Sequence, residues 1–167
     1  MGVVGAGKTT VGNLLAQQLG WQFADADDFH SRENVDKIRQ GIALTDVDRA
    51  PWLRTLHSAI AQWNREQNNV VLACSALKRS YRDALQAGDL RFVYLKGSYD
   101  LILSRLRSRH GHFASEAILK SQLADLEEPE GAITVNIEHT PAEIVAEIIR
   151  KLDAGVLTVT PDPAEIS

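Results

Sequence analysis

Met1-Gly2-Val3-Val4-Gly5-Ala6-Gly7-Lys8-Thr9-Thr10 is the stretch that decides the fold. Gly2, Gly7, Lys8 and Thr9 complete the pattern G-x-x-x-x-G-K-[ST], and Gly5 adds a glycine inside it. Glycines take positive φ angles, so successive backbone N–H groups can converge on one anion-sized concavity. Lys8 sets a mobile ammonium beside β- and γ-phosphates, and the Thr9 hydroxyl suits Mg²⁺. A helix starting at this point aims its positive end at the same phosphates. The pattern therefore predicts a loop that cradles a nucleotide triphosphate, with Gly2, Val4, Gly5, Ala6, Gly7, Lys8, Thr9 and Thr10 around the phosphates.

Downstream, Val11, Leu14, Leu15 and Leu19 recur at helical spacing, and Gly20 stands where a C-terminal cap belongs. Upstream, a strand of about five or six residues normally feeds such a loop, but only Met1 precedes Gly2. A truncated or misassigned first strand is the expectation. Met1-Gly2 does not read as a myristoylation signal, because Ala6 stands where that pattern wants Ser or Thr.

The 167 residues suffice for one α/β domain with a real core. With 18 basic and 22 acidic residues the net charge is −4, which argues against a general polyanion-binding role. Cys74 is the single cysteine, so no intrachain disulfide can form. No apolar run approaches the ~20 residues that span a bilayer, and a cytoplasmic setting without membrane or nucleic-acid partners is expected.

Beyond the first helix, a short strand from Trp21 to Ala24 runs into Asp25-Ala26-Asp27-Asp28-Phe29-His30. Carboxylates at the carboxyl end of a parallel strand face the ligand crevice. Asp25 and Asp27, two apart, point the same way on an extended backbone and can share Mg²⁺ waters and a substrate hydroxyl. The alternative is a solvated acidic turn that caps the next helix. Residues 33–40 read as a helix, and Thr45 with Asp48 three residues on opens a longer one. Trp52, Leu53, Leu56, Ile60 and Trp63 form its apolar face, with Arg49 free to meet a cleft.

Val70 to Cys74 is a continuous apolar run, as in a strand buried on both faces. Lys78 and Arg82 then share a helix face, a surface stripe or a basic wall. Arg91 to Leu95 is a further strand, residues 99–109 a helix, 115–128 another, Ile133 to Ile137 a last strand and 141–153 a closing helix. Arg105 and Arg109 share one face, and Gly111 offers a hinge before His112 and Phe113. Guanidinium groups suit phosphate clamping and stacking on adenine, so a cationic lid is predicted, with His112 packing or hydrogen-bonding in it. The chain divides into one kinase-like domain over 1–154, with a lid at about 109–128, and a tail over 155–167.

Taken in order, the phosphate loop, Asp25 to His30, Thr45 to Leu53, Cys74 to Lys78 with Tyr81-Arg82-Asp83, and Arg109 to Phe113 closely resemble the bacterial gluconate kinases. These are small ATP-dependent enzymes related to shikimate and nucleoside monophosphate kinases. The resemblance runs from Gly2 to about residue 150. Two departures stand out: the residues before the loop are absent, and Ala26 stands where many relatives have glycine. The resemblance implies a three-layer P-loop kinase fold, a five-stranded parallel sheet with helices on both faces and a helical lid, often dimeric. It also implies transfer of the ATP γ-phosphoryl to the C6 hydroxyl of D-gluconate, in gluconate catabolism.

On that reading Lys8, Asp27 and Arg109 are catalytic, and Arg105 and Arg109 join the ATP set. Asp27, His30, Arg49, Lys78, Arg82 and His112 face gluconate, while Thr9 and Asp25 hold Mg²⁺. A related kinase acting on another sugar acid or hydroxy acid, or a non-catalytic nucleotide-binding protein, are the competing readings.

Overall fold

The computed structural model describes residues 1–40, 42–110 and 113–156. The phosphate loop opens directly into α1 (Lys8–Leu19), with Gly7 at its N-cap in the left-handed region, φ 95°. A residue with a Cβ is strained there, which explains the glycine. Gly20 closes the helix in the same region, its N–H on the Ala16 and Gln17 carbonyls. Next come β1 (Gln22–Asp25), a 3-10 turn over Ala26–Phe29, and α2 (Arg32–Arg39). The long α3 (Asp46–Arg65) starts with the capping box read from sequence, Thr45 and Asp48 bonding reciprocally. The rest are β2 (Val70–Ala73), α4 (Arg79–Leu85), β3 (Val93–Lys96), α5 (Tyr99–His110), α6 (Phe113–Asp125), β4 (Ile133–Asn136) and α7 (Pro141–Val156).

All strand pairs are parallel, β1 with β2 and β3 with β4. The buried apolar residues fall into two clusters. Val11 and Leu15 of α1 join Ile102 and Leu106 of α5 and Ile144, Val145 and Ile148 of α7. Trp52, Leu56 and Ile60 of α3 join Tyr81 and Leu85 of α4. Fully buried side chains such as Leu56 and Ile148 each contribute about 1.5–3 kcal/mol. This is the mixed α/β arrangement expected, but the strand count differs. Among the described residues there are two two-stranded sheets rather than one sheet of five.

Met1 and Gly2 stand between the two sheets. The Leu95 N–H donates to the Met1 carbonyl (3.0 Å), the Met1 amine to the Val93 carbonyl, and the Gly2 N–H to the Ser75 carbonyl (3.2 Å). The order across the molecule is therefore β1, β2, this stub, β3, β4. Beside the stub a cavity of about 720 Å³ runs between β2 and β3, lined by Leu15, Ile60, Leu72, Leu85, Val93 and Ile148. Both helical layers and both strand edges contribute to that lining.

Candidate active site

The phosphate loop is held from three sides. Its Gly5 has φ 79°, and a Cβ there would meet Leu106 Cγ at 2.8 Å, so α5 packs directly on the loop. The Ala6 N–H bonds the Val3 carbonyl (3.2 Å), and the Val4 N–H donates to Gln122 Oε1 (2.6 Å) from α6. Lys8 folds back so that Nζ donates to the Val3 carbonyl at 3.1 Å. Burial lowers its pKa, while the Asp27 and Asp25 carboxylates raise it in opposition. An ammonium held by one carbonyl in a desolvated pocket gains strongly from an incoming phosphate.

Asp25 ends β1, and Thr9 Oγ1 donates to its Oδ2 at 3.2 Å. The sequence expectation for Asp25 and Asp27 requires a correction here. They do not share a face of an extended strand, because the backbone turns into the 3-10 helix at Ala26. Asp25 instead caps that turn, its Oδ1 accepting the Asp27 N–H at 3.1 Å. The turn still brings both carboxylates into the field of Lys8. The turn is pinned from below by Trp52, whose indole N–H donates to the Ala26 carbonyl at 2.8 Å.

Trp52 also stacks on His30, centroids 4.6 Å apart and planes 12° apart. It is a core residue as expected and a platform as well. His30 is held low by burial, with Asp27 raising it and Arg49 lowering it again. Its Nδ1 is buried without a hydrogen-bond partner among the described residues, a costly state that a ligand hydroxyl would relieve.

Across from this turn, Arg49 NH1 bonds the Tyr81 hydroxyl (3.2 Å), and Lys78 Nζ bonds both oxygens of Asp46 (3.0 and 3.2 Å). Both cations also lie over the Tyr81 ring, at 5.7 and 5.4 Å from its centroid. The result is a continuous run of groups: Lys8, Asp27, His30, Arg49, Tyr81 and Lys78.

Arg82 is not part of that run. It is 8% exposed, and its guanidinium donates to the Ala76 and Leu77 carbonyls at 3.0 and 2.8 Å. Sharing a helix face with Lys78 failed as a guide because Lys78 is the N-cap of α4 rather than a residue within it. Arg82 fixes the loop in which Ala76 takes φ 44°, and its substrate-contact role is withdrawn. Arg105 NH2 is tied to the Ile137 carbonyl at 2.7 Å, at the end of β4. The side chain of Arg109, and His112 altogether, lie outside the described residues. Cys74 is buried, and desolvation raises its thiol to about 11, which makes it inert.

The sequence model of the shikimate kinase family matches residues 4–153. A gluconokinase of Gluconobacter oxydans is 45% identical, covering 92% of this chain and 89% of its own. A probable gluconokinase of Mus musculus is 44% identical, covering 91% and 95%. The crystal structure of a gluconokinase from Sinorhizobium meliloti superposes with a TM-score of 0.81 at 39% identity, over 96% and 95% of the two chains. The chain belongs to the gluconokinases, within the wider shikimate kinase family.

As a gluconokinase-family P-loop kinase the protein uses ATP. Among the described residues no helix is long and apolar enough to cross a membrane. Three site residues escaped the sequence reading of this kinase. Gln122 carries no local signal, since its partner lies 118 positions away. Tyr81 reads as helix core from its spacing. Asp46 was readable, three positions before Arg49 and hence on the same helical turn.

Proposed function

We propose that the protein transfers the γ-phosphoryl group of ATP to the C6 hydroxyl of D-gluconate, giving 6-phospho-D-gluconate and ADP. One observation carries this reading: an amide-lined phosphate loop with Lys8 and two carboxylates continues, through His30, into a wall of two cations on Tyr81. A sugar acid has the matching polarity, an alcohol at one end and a carboxylate at the other. Phosphoryl transfer asks for in-line positioning and neutralised charge, with little covalent work by the protein.

The backbone N–H groups from Gly5 to Thr10 take the phosphates, and Lys8 leaves the Val3 carbonyl for them. Thr9 and Asp25 offer hard oxygen donors 3.2 Å apart, fitting Mg²⁺, which keeps few protein ligands beside phosphates and water. Bound there, Mg²⁺ would neutralise charge on the β- and γ-phosphates. Asp27 orients the C6 hydroxyl and accepts its proton. His30 Nδ1 meets a substrate hydroxyl, while Lys78 and Arg49 take the carboxylate. Arg109 joins the γ-phosphate and Arg105 the adenine, with His112 in the lid. The resemblance extends the proposal to a homodimer in the cytoplasm, with residues 1–154 as one kinase domain.

The test is ADP release coupled to a spectroscopic readout, with ATP and Mg²⁺, over a panel of gluconate, other sugar acids and the neutral six-carbon polyol. Turnover that depends on gluconate, with a product phosphorylated at C6, is the expected result. Turnover with another acid but not gluconate would reassign the substrate, and none with any acid would overturn catalysis.

A further inference from the structure

We propose that Asp46 is a built-in rival for the substrate's acid group: its carboxylate occupies the cationic receptor formed by Lys78, Arg49 and Tyr81, and substrate binds by displacing it. This inference rests on the proposed sugar-acid reading of the site. The Asp46 carboxylate accepts from Lys78 Nζ at 3.0 and 3.2 Å and from the Tyr81 hydroxyl, and lies 3.8 Å from Arg49 NH1. An ammonium, a phenol and a guanidinium converging on one carboxylate are what a bound organic acid would recruit.

Exposure separates the receptor from its occupant. The Lys78 and Arg49 side chains are 27% and 26% exposed, while that of Asp46 is 65% exposed. The cations belong to the wall and the carboxylate to the solvent side, free to swing out. The receptor also stands without Asp46. Arg49 keeps its bond to the Tyr81 hydroxyl, both cations keep their contact with the ring, and Tyr81 is buried in the core between α3 and α4. Asp46 is thus dispensable for placing these groups, and its charge opposes any second carboxylate arriving among them. The hydrogen bonds from Tyr81 and then Lys78 hold its pKa below the usual carboxylate value, which favours the charged form.

The consequence is selectivity. A ligand must bring its own negative charge to replace the one it expels, so a neutral polyol cannot empty the receptor. The protein gives up some affinity for its substrate in return for rejecting uncharged sugars.

Asp46→Asn keeps the shape and removes the charge. The KM for gluconate is expected to fall roughly three- to ten-fold, with kcat changing by less than KM does, the size of a few partly exposed charge contacts. In a Lys78→Met background the same substitution is expected to change KM less than about two-fold, because the rivalry needs its main cation. A rise in KM with Asp46→Asn would mean that Asp46 orients the receptor, and an unchanged KM that it is an idle surface pair. Either result overturns the proposal. If the unaltered protein shows no gluconate turnover, the substrate reading fails separately. Calorimetric affinity for gluconate without ATP then decides the Asp46 inference, and a value untouched by Asp46→Asn overturns it.

Discussion

Replacing Lys8 by alanine is expected to lower kcat/KM by about 10²–10³ and to weaken ATP binding in the same variant. The physical reason lies in what surrounds the ammonium. Among the described residues Lys8 Nζ has one hydrogen bond, to the Val3 carbonyl at 3.1 Å, in a setting that burial makes unfavourable for a charge. A triphosphate relieves that state, so part of the attraction is present already in the ground state, and affinity falls with rate. The charge that grows on the transferring phosphoryl group adds the rest. Lys8→Met separates charge from packing, since it keeps the aliphatic stem above the loop. It is expected to lose nearly as much activity as alanine while holding its melting temperature. Calorimetry with ATP and steady-state kinetics measure both quantities. Kinetics like those of the unaltered protein would undo the assignment of the loop.

Asp27→Asn is expected to drop kcat by about 10² or more while ATP still binds. The substitution is nearly isosteric, and the backbone bonds of Asp27 survive it: its N–H on Asp25 Oδ1 and its carbonyl accepting the His30 N–H. The 3-10 turn, pinned from below by Trp52, therefore stays in place. What is lost is a carboxylate between Lys8 and His30, the group proposed to align the attacking hydroxyl and take its proton. A loss confined to kcat points to that role. A loss of ATP affinity with kcat preserved would move Asp27 to the nucleotide side, and full turnover would remove it from the chemistry.

These two variants probe residues legible in sequence to different degrees. Lys8 sits in a pattern whose spacing is its function, because the glycines, the lysine and the hydroxyl act within one turn of backbone. The chain positions of Asp25 and Asp27 were equally visible, but their arrangement was not. An extended backbone predicted a shared face, whereas Asp25 caps a turn that begins at Ala26, between the two carboxylates. Such short-range competition between side-chain capping and strand is set by local geometry and leaves no periodic trace.

Arg82 shows the opposite failure. Its spacing from Lys78 was read correctly, but the loop before α4 has carbonyls that need a donor, and the buried guanidinium supplies it. Arg105 is half-buried, and one nitrogen of its guanidinium is tied to the end of β4 through the Ile137 carbonyl. Burial decided the place of Arg82, and burial is a property of the assembled layers.

The residue pattern by itself determined the alternation of helices and strands, the phosphate loop and the capping box at Thr45, because each depends on neighbours within a few positions. Only the tertiary structure decided that Met1 bonds Val93 and Leu95, that Gln122 reaches Val4, and that Tyr81 meets Arg49 and Asp46. Those contacts join residues 32 to 118 positions apart. They form because packing two apolar clusters leaves polar groups at the seams, where each must find a partner or remain unsatisfied.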